Sequence, residues 1–305
     1  MANDKDFILK NAIEVGGSTK VTIGDAPASG SRVSGFADVS TWAYDSVSFS
    51  ASSQSTNFLN DVLFSSDGTK MYTLHGAASI YQYSLSTAWD ASTASYDNKS
   101  FDPTSQGANN SGGSFNSDGT KFYKTDGQTD TIYEYDLSTA WDISTASYNS
   151  VSLSVSAQDT SPTGMTFNST GTKMYMVGGQ NDRVYQYSLS TAYDLSTASY
   201  DSVFFSVQTQ SLSPESVVFN NDGTKMFISC NSNDAVFQYD LTTAYDISTA
   251  SYNTKTFSVA SQAAAPYGIR FSSDGDKMYI ASAVDVTVYQ YSTGSTLATA
   301  TFDTS

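Results

Sequence analysis

Histidine and cysteine each occur once in 305 residues, as His75 and Cys230. A single cysteine forms no intrachain disulfide, so the fold holds without covalent staples. Neither a zinc set nor a nucleophile–histidine triad can be drawn from one of each. A lone histidine in a glycine-rich loop reads as a surface residue rather than a base. Basic residues are scarce too, 14 against 30 acids, for a net charge of −16. Residues 1–35 carry four of each sign, which leaves 26 acids against 10 bases in 36–305. Such a surface repels a phosphate backbone, so no nucleic-acid partner is expected. Its plainer role is solubility. No run of 18 apolar residues occurs, so no membrane insertion is expected. The opening MANDKDFILK lacks the apolar centre of a secretory signal, which points to synthesis in a cytoplasm.

Leucine-rich helical periodicity is also missing, and only five prolines occur. What is abundant instead is Tyr, Phe, Val, Thr and Ser, a strand-forming composition, with 20 glycines for turns. One nonapeptide is written five times: FSSDGTKMY at 64, FNSDGTKFY at 115, FNSTGTKMY at 167, FNNDGTKMF at 219 and FSSDGDKMY at 271. Its glycines, Gly68, Gly119, Gly171, Gly223 and Gly275, recur about every 52 residues, the signature of a propeller, a solenoid or an array.

One period, 162–206, holds four short alternating runs separated by turn residues, which is the pattern of a four-stranded propeller blade. The Phe closes strand a, the Asp-Gly pair turns the chain, and Lys-Met-Tyr opens strand b. A calcium loop would need further carboxylates at fixed spacing, and these are absent, so the nonapeptide reads as a structural turn. The aromatic-x-Tyr pairs of strand c (Tyr81/Tyr83, Tyr133/Tyr135, Tyr185/Tyr187, Phe237/Tyr239, Tyr289/Tyr291) read as filling between blades rather than a sugar-stacking ladder. Between strands c and d, LSTAWDASTAS at 85 and its copies at 137, 189 and 241 place Trp89, Trp141, Tyr193 and Tyr245 as staples of that loop.

A spare strand-d motif, TWAYDSVSF at 41–49, precedes the first blade, and a degenerate one, ATATFDTS, ends the chain. Five a-b-c sets with a spare d predict an all-β, five-bladed β-propeller over 36–305, about 52 residues per blade and four strands each. Ring closure by overlapping chain ends removes the exposed sheet edges. An open stack, or blades shared between subunits, is the alternative.

Residues 1–35 form a separate segment. FILKNAIEV and KVTIG around GGST read as a β-hairpin, with Phe7, Leu9, Ile13, Val15, Val21 and Ile23 as docking side chains and GDAPASGSRVSG as a tether. The hairpin needs a partner surface: the propeller flank, a second copy, or a larger assembly.

The a–b and c–d loops are uniform, whereas the b–c and d–a loops differ from blade to blade. The individual face is therefore the candidate binding surface, with His75, Gln128, Gln180, Asn181, Arg183, Asn231, Asn233 and Asp285 as candidate contacts. Neutral drift in exposed loops gives the same pattern. Strand a lines the channel with small or apolar residues, and Asp61, Glu215 and Arg270 are scattered exceptions. No catalytic residue, metal ligand or cofactor site is assigned, and a non-enzyme is expected.

The blade unit F-[SN]-[SN]-D-G-T-K-M-[YF] with its [YF]-x-Y and S-T-A-[WY]-D segments resembles propeller repeats of marine phage and bacterial surface proteins. Its first half also resembles the D-G-K-x-Y hairpin of the YVTN and lactonase-type propellers, whose metal-binding acids have no counterpart here. The opening ANDKDFILKNAIEVGGSTKVTIG resembles the start of structural appendage proteins of marine tailed phages, cyanophages especially. Together these resemblances imply a non-enzymatic virion protein, a short fibre, spike or head decoration. It would be anchored to other virion proteins by its N-terminal segment and would be a homo-oligomer. Its propeller would meet a host-surface glycan or protein, or protect the particle. A bacterial surface or secreted glycan-binding module is the second expectation, and a propeller hydrolase or lyase the third.

Overall fold

The computed structural model describes residues 39–294. The hairpin side chains Phe7, Leu9, Ile13, Val15, Val21 and Ile23 lie outside the described residues, as does the last motif copy at 298–305.

Among the described residues, twenty strands form five four-stranded antiparallel sheets. The first strand, β1 (Ala43–Ser50), stands ahead of the first blade. Blade 1 is β2 (Leu59–Phe64), β3 (Lys70–His75), β4 (Ile80–Leu85) and β5 (Ala94–Phe101). Blade 2 is β6 (Asn110–Phe115), β7 (Lys121–Asp126), β8 (Thr131–Leu137) and β9 (Ala146–Ser154). Blade 3 is β10 (Pro162–Phe167), β11 (Lys173–Gly178), β12 (Arg183–Leu189) and β13 (Ala198–Ser206). Blade 4 is β14 (Pro214–Phe219), β15 (Lys225–Cys230), β16 (Ala235–Leu241) and β17 (Ala250–Ser258). Blade 5 is β18 (Pro266–Phe271), β19 (Lys277–Ser282) and β20 (Thr287–Ser292), completed by β1. The spare d motif thus closes the ring, pairing Ala43 with Ser292 and Ser50 with Thr287.

The nonapeptide is a structural turn. Gly68 has φ +71°, and a Cβ there would sit 2.2 Å from the Trp89 ring. Trp141, Tyr193 and Tyr245 cover Gly119, Gly171 and Gly223 in the same way, so each c–d aromatic is stapled onto its own a–b turn. Asp67 accepts from the Thr69 N–H and hydroxyl, which holds the turn from inside.

Apolar side chains gather into five cores, each shared by two neighbouring blades. Tyr83, Tyr135, Tyr187, Tyr239 and Tyr291 are all buried in them, as filling requires.

Two polar devices, which the repeat alone did not reveal, tie blade to blade. The strand-b Tyr72 donates to the Trp141 carbonyl of the next blade at 2.6 Å, and Tyr175 does the same to Tyr245 at 2.5 Å. Tyr279 of blade 5 reaches Trp89 of blade 1 at 2.5 Å, across the seam. In the middle of each aromatic-x-Tyr pair sits a Gln or Glu, and in four of the five its oxygen accepts a backbone N–H from the next c–d loop, Gln238 of blade 4 being the exception. Gln82 takes Ile143, Glu134 takes Leu195, Gln186 takes Ile247 and Gln290 takes Ala91. A β-bulge in strand d, with positive φ at Asn98, Ser150, Ser202, Thr254 and Ser46, lets the preceding side chain turn back. Asp97, for example, takes the Gln82 amide at 2.9 Å and so orients it.

Candidate functional site

Five a strands converge on the axis, and each begins with its own bulge. The register skips Asn60, Ser111, Thr163 and Glu215 in the first four, and Tyr267 with Gly268 in the fifth. A bulged residue leaves the ladder and its side chain is re-aimed. Here the bulges deliver Asn60, Ser111, Thr163, Glu215 and Tyr267 into one cavity of about 700 Å³ at the channel mouth.

Directly beneath them the chain carries Asp61, Gly112, Gly164, Ser216 and Gly268. Three of these five are glycines because the strands nearly touch. A Cβ on Gly164 would lie 2.6 Å from the Glu215 carbonyl, and one on Gly268 would lie 2.3 Å from Asp61 Oδ1. Arg270 rises from below into this waist. Its Nη2 donates to Asp61 Oδ2 at 2.5 Å and to the Gly113 carbonyl at 2.7 Å. Its Nη1 reaches Ser216 Oγ at 3.1 Å and the Ile269 carbonyl at 2.7 Å. Asp61 further accepts from the N–H groups of Val62 and Gly113. Burial pushes the Asp61 carboxyl up to about 6, against the pull of Arg270 and those two N–H groups. The ion pair plugs the channel, so the upper mouth is a blind cup. A smaller hollow of about 290 Å³, with Arg270 in its wall, opens on the other side, among the uniform loops.

The cup opens on the individual face. Its rim comes from d–a residues such as Asn57, Phe58, Asn109 and Ser161 and from b–c residues such as Ala77, Gly127 and Gly179. Glu215 is the one charged side chain in its wall. Burial raises its carboxyl to about 7, although the Ser213 hydroxyl at 2.9 Å and the Asn231 amide both stabilise the anion. Tyr267 is half-buried, and its phenol is raised by burial first and by Glu215 second. Ser111 Oγ accepts from the Gly127 N–H at 3.0 Å and keeps its own proton to donate. Such a wall can exchange one proton near neutrality and can hold a small polar molecule.

The eight face residues named from sequence lie elsewhere around this mouth. His75 is corrected from a surface residue to a buried one: Nδ1 meets the Asn57 carbonyl at 3.1 Å and Nε2 meets Thr73 Oγ1 at 3.1 Å. It occupies the last position of strand b, as Cys230 does in blade 4. Cys230 Sγ lies 2.7 Å from Ser211 Oγ, so the single histidine and single cysteine each pin a d–a loop. Asn231 alone of the eight supports the cup, through Glu215. Arg183 stacks over Phe204 at 4.2 Å. Asn181 Nδ2 donates to the Gln158 carbonyl and to Tyr185. Asn233 Oδ1 accepts from Ser232, and Asp285 accepts from the Tyr289 hydroxyl. Gln128 and Gln180 are exposed, and their N–H groups are held by Asp126 and Asp159. Asp61, Glu215 and Arg270, read as scattered, are stacked along the axis instead.

No family model matches this chain. No curated protein matches it either. Among solved structures it is similar to a provisionally assigned 6-phosphogluconolactonase of Bacteroides uniformis, at 13% identity and a TM-score of 0.47, over 72% of this chain and 62% of that one. A second such protein, from Bacteroides fragilis, matches at 15% identity and a TM-score of 0.44, over 66% and 55%. The Cps50 (Swd1) β-propeller domain of Myceliophteria thermophila matches at 9% identity and a TM-score of 0.46, over 81% and 99%. The chain spans about three fifths of the length of the lactonase-type structures, and at these identities the likeness is one of fold. The expectation of a non-enzymatic virion protein is corrected: two of these structures bear the name of a hydrolase. Strand bulges, invisible to a simple alternation, bring a carboxyl that titrates near neutrality into a closed-bottomed cup.

Proposed function

We propose that the cup is the active site of a hydrolase in which Glu215 is the general base. The observation that carries this reading is its placement: one carboxyl, unaccompanied by any other charge, in the wall of a blind cavity. A base that titrates at about 7 is half ionised at neutral pH and strong enough to take a proton from water. Cleavage of a glycosidic bond ordinarily requires two carboxyls on opposite sides of the bond, and this wall has one. Water addition to an ester or lactone carbonyl requires only one base and donors for the developing oxyanion. Glu215 takes the proton from water as its oxygen bonds to the acyl carbon. The proton then passes to the departing alkoxide as the acyl–oxygen bond breaks. Ser111 and Tyr267 are the hydroxyl donors in the same wall.

The test is hydrolysis of a panel of esters and lactones by the full chain and by Glu215→Gln. The reading expects turnover with an acid limb near pH 7 and a loss of roughly 10²–10⁴-fold in the variant. Hydrolysis unaffected by Glu215→Gln contradicts it.

A further inference from the structure

None of the ten basic residues of 36–305 lines the cup. Arg270, the basic residue on the axis, has its guanidinium engaged in the plug. A phosphate or carboxylate in the cup would therefore meet Glu215 without a counter-charge, inside a body with a large acidic excess. A cation would have to be stripped of water to pair with a carboxyl whose own charge burial already disfavours.

What the wall offers is different. Phe58, on the rim, is 61% exposed, so an apolar ring is open to whatever enters the mouth. Tyr267 supplies a second ring, from the a strand that lies beside β2 across the seam. The same wall carries the Ser111 and Thr163 hydroxyls and Asn60. Asn60 is 8% exposed, its amide donates to the Asn110 carbonyl at 2.8 Å, and its own Oδ1 is buried without a protein partner. Ring faces beside hydroxyl and amide groups match a molecule with an apolar C–H face and several hydroxyls.

We infer that the cup selects an uncharged, hydroxylated ring of sugar or sugar-lactone type and rejects its phosphate ester. This rests on the cup being the active site, and deepens that reading by naming the substrate class. Phe58 is the platform on which the ring lies, and the Ser111 hydroxyl, which accepts from the Gly127 N–H, donates to it.

The test uses full-length Glu215→Gln and saturation-transfer NMR at pH 7. The probes are neutral monosaccharides and sugar 1,4-lactones, each beside its phosphate ester, with an alkylammonium compound as the cationic arm. Neutral probes are expected to bind at least ten-fold more tightly than their esters. Phe58→Ala is expected to weaken them roughly 5–20-fold with an unchanged Tm, since the ring is mostly exposed. Preference for a phosphate ester or for the ammonium probe overturns the inference. So does silence from every probe, or binding indifferent to Phe58→Ala. The two readings fail separately. Neutral lactones hydrolysed equally well with Glu215→Gln refute the general base and leave the substrate class standing. Glu215-dependent hydrolysis confined to phosphorylated lactones does the reverse.

Discussion

Arg270 of the last blade lies 2.5 Å from Asp61 of the first, and this contact closes the channel from within. The two residues are 209 positions apart in the chain, yet the ring brings their strands side by side. Both side chains are out of water, Asp61 completely and Arg270 at 13% exposure. Removing one partner strands the other. Arg270→Met is expected to cost about 3–5 kcal/mol at pH 8. With its partner gone, Asp61 keeps its proton to a higher pH than the value of about 6 it has beside Arg270, so the loss shrinks as the pH falls from 8 towards 6 and is constant below. Urea unfolding at pH 8 and pH 5 measures this. Equal losses at both pH values would show that the charge on Asp61 is not what matters.

Glu215 sets function against stability. Its folded carboxyl lies at about 7, above the 4.5 of an ordinary glutamate. The folded state therefore holds the proton more tightly than the unfolded chain. Ionisation destabilises the fold, with no effect below about pH 4.5 and the full effect above about pH 7. Glu215→Gln is thus expected to stabilise the protein by on the order of 2 kcal/mol at pH 8 and by almost nothing at pH 4. A parallel loss of activity with a gain in Tm is the paired signature.

The interblade tyrosines carry a third expectation. Tyr175→Phe removes the donor to the Tyr245 carbonyl and is expected to cost about 1 kcal/mol. Phe227 holds the equivalent position in blade 4, and there the ring packs at 5.4 Å against Trp42 among apolar side chains. Phe227→Tyr is expected to give no gain, because the seam blade replaces the usual aromatic loop with the strand-d segment from the start of the ring. Thermal unfolding of both variants checks the asymmetry.

Much of this architecture was legible in the sequence. The spare TWAYDSVSF copy was a sound sign of how the ring closes, since a fifth sheet without a d strand has an open edge. The aromatic-x-Tyr pairs and the Asp-Gly turns were legible for the same reason: five copies average out local accident. The candidate site was legible only in pieces. Asp61, Glu215 and Arg270 stood out as polar residues in an apolar strand, but a strand read by strict alternation cannot show that a bulge turns Glu215 into the cup. Nor does it show that Arg270 reaches one layer up to Asp61. The interblade clamp was hidden by a compensated swap. Gln82 pairs with Asp97, whereas blade 2 has Glu134 with Asn149, so the carboxyl and amide exchange strands and neither position looks constant.

The ionisation of one glutamate decides what the cup can do, and the chain is suited to measuring it. Its only glutamates are Glu14, Glu134 and Glu215, so selective 13C labelling of the glutamate carboxyls gives three signals, and Glu215→Gln assigns one of them. Titration from pH 3 to pH 9 is expected to show that signal moving with a midpoint near 7. A midpoint at the ordinary glutamate value of about 4.5 would mean a solvated carboxylate, and the cup would then hold no base poised for neutral pH.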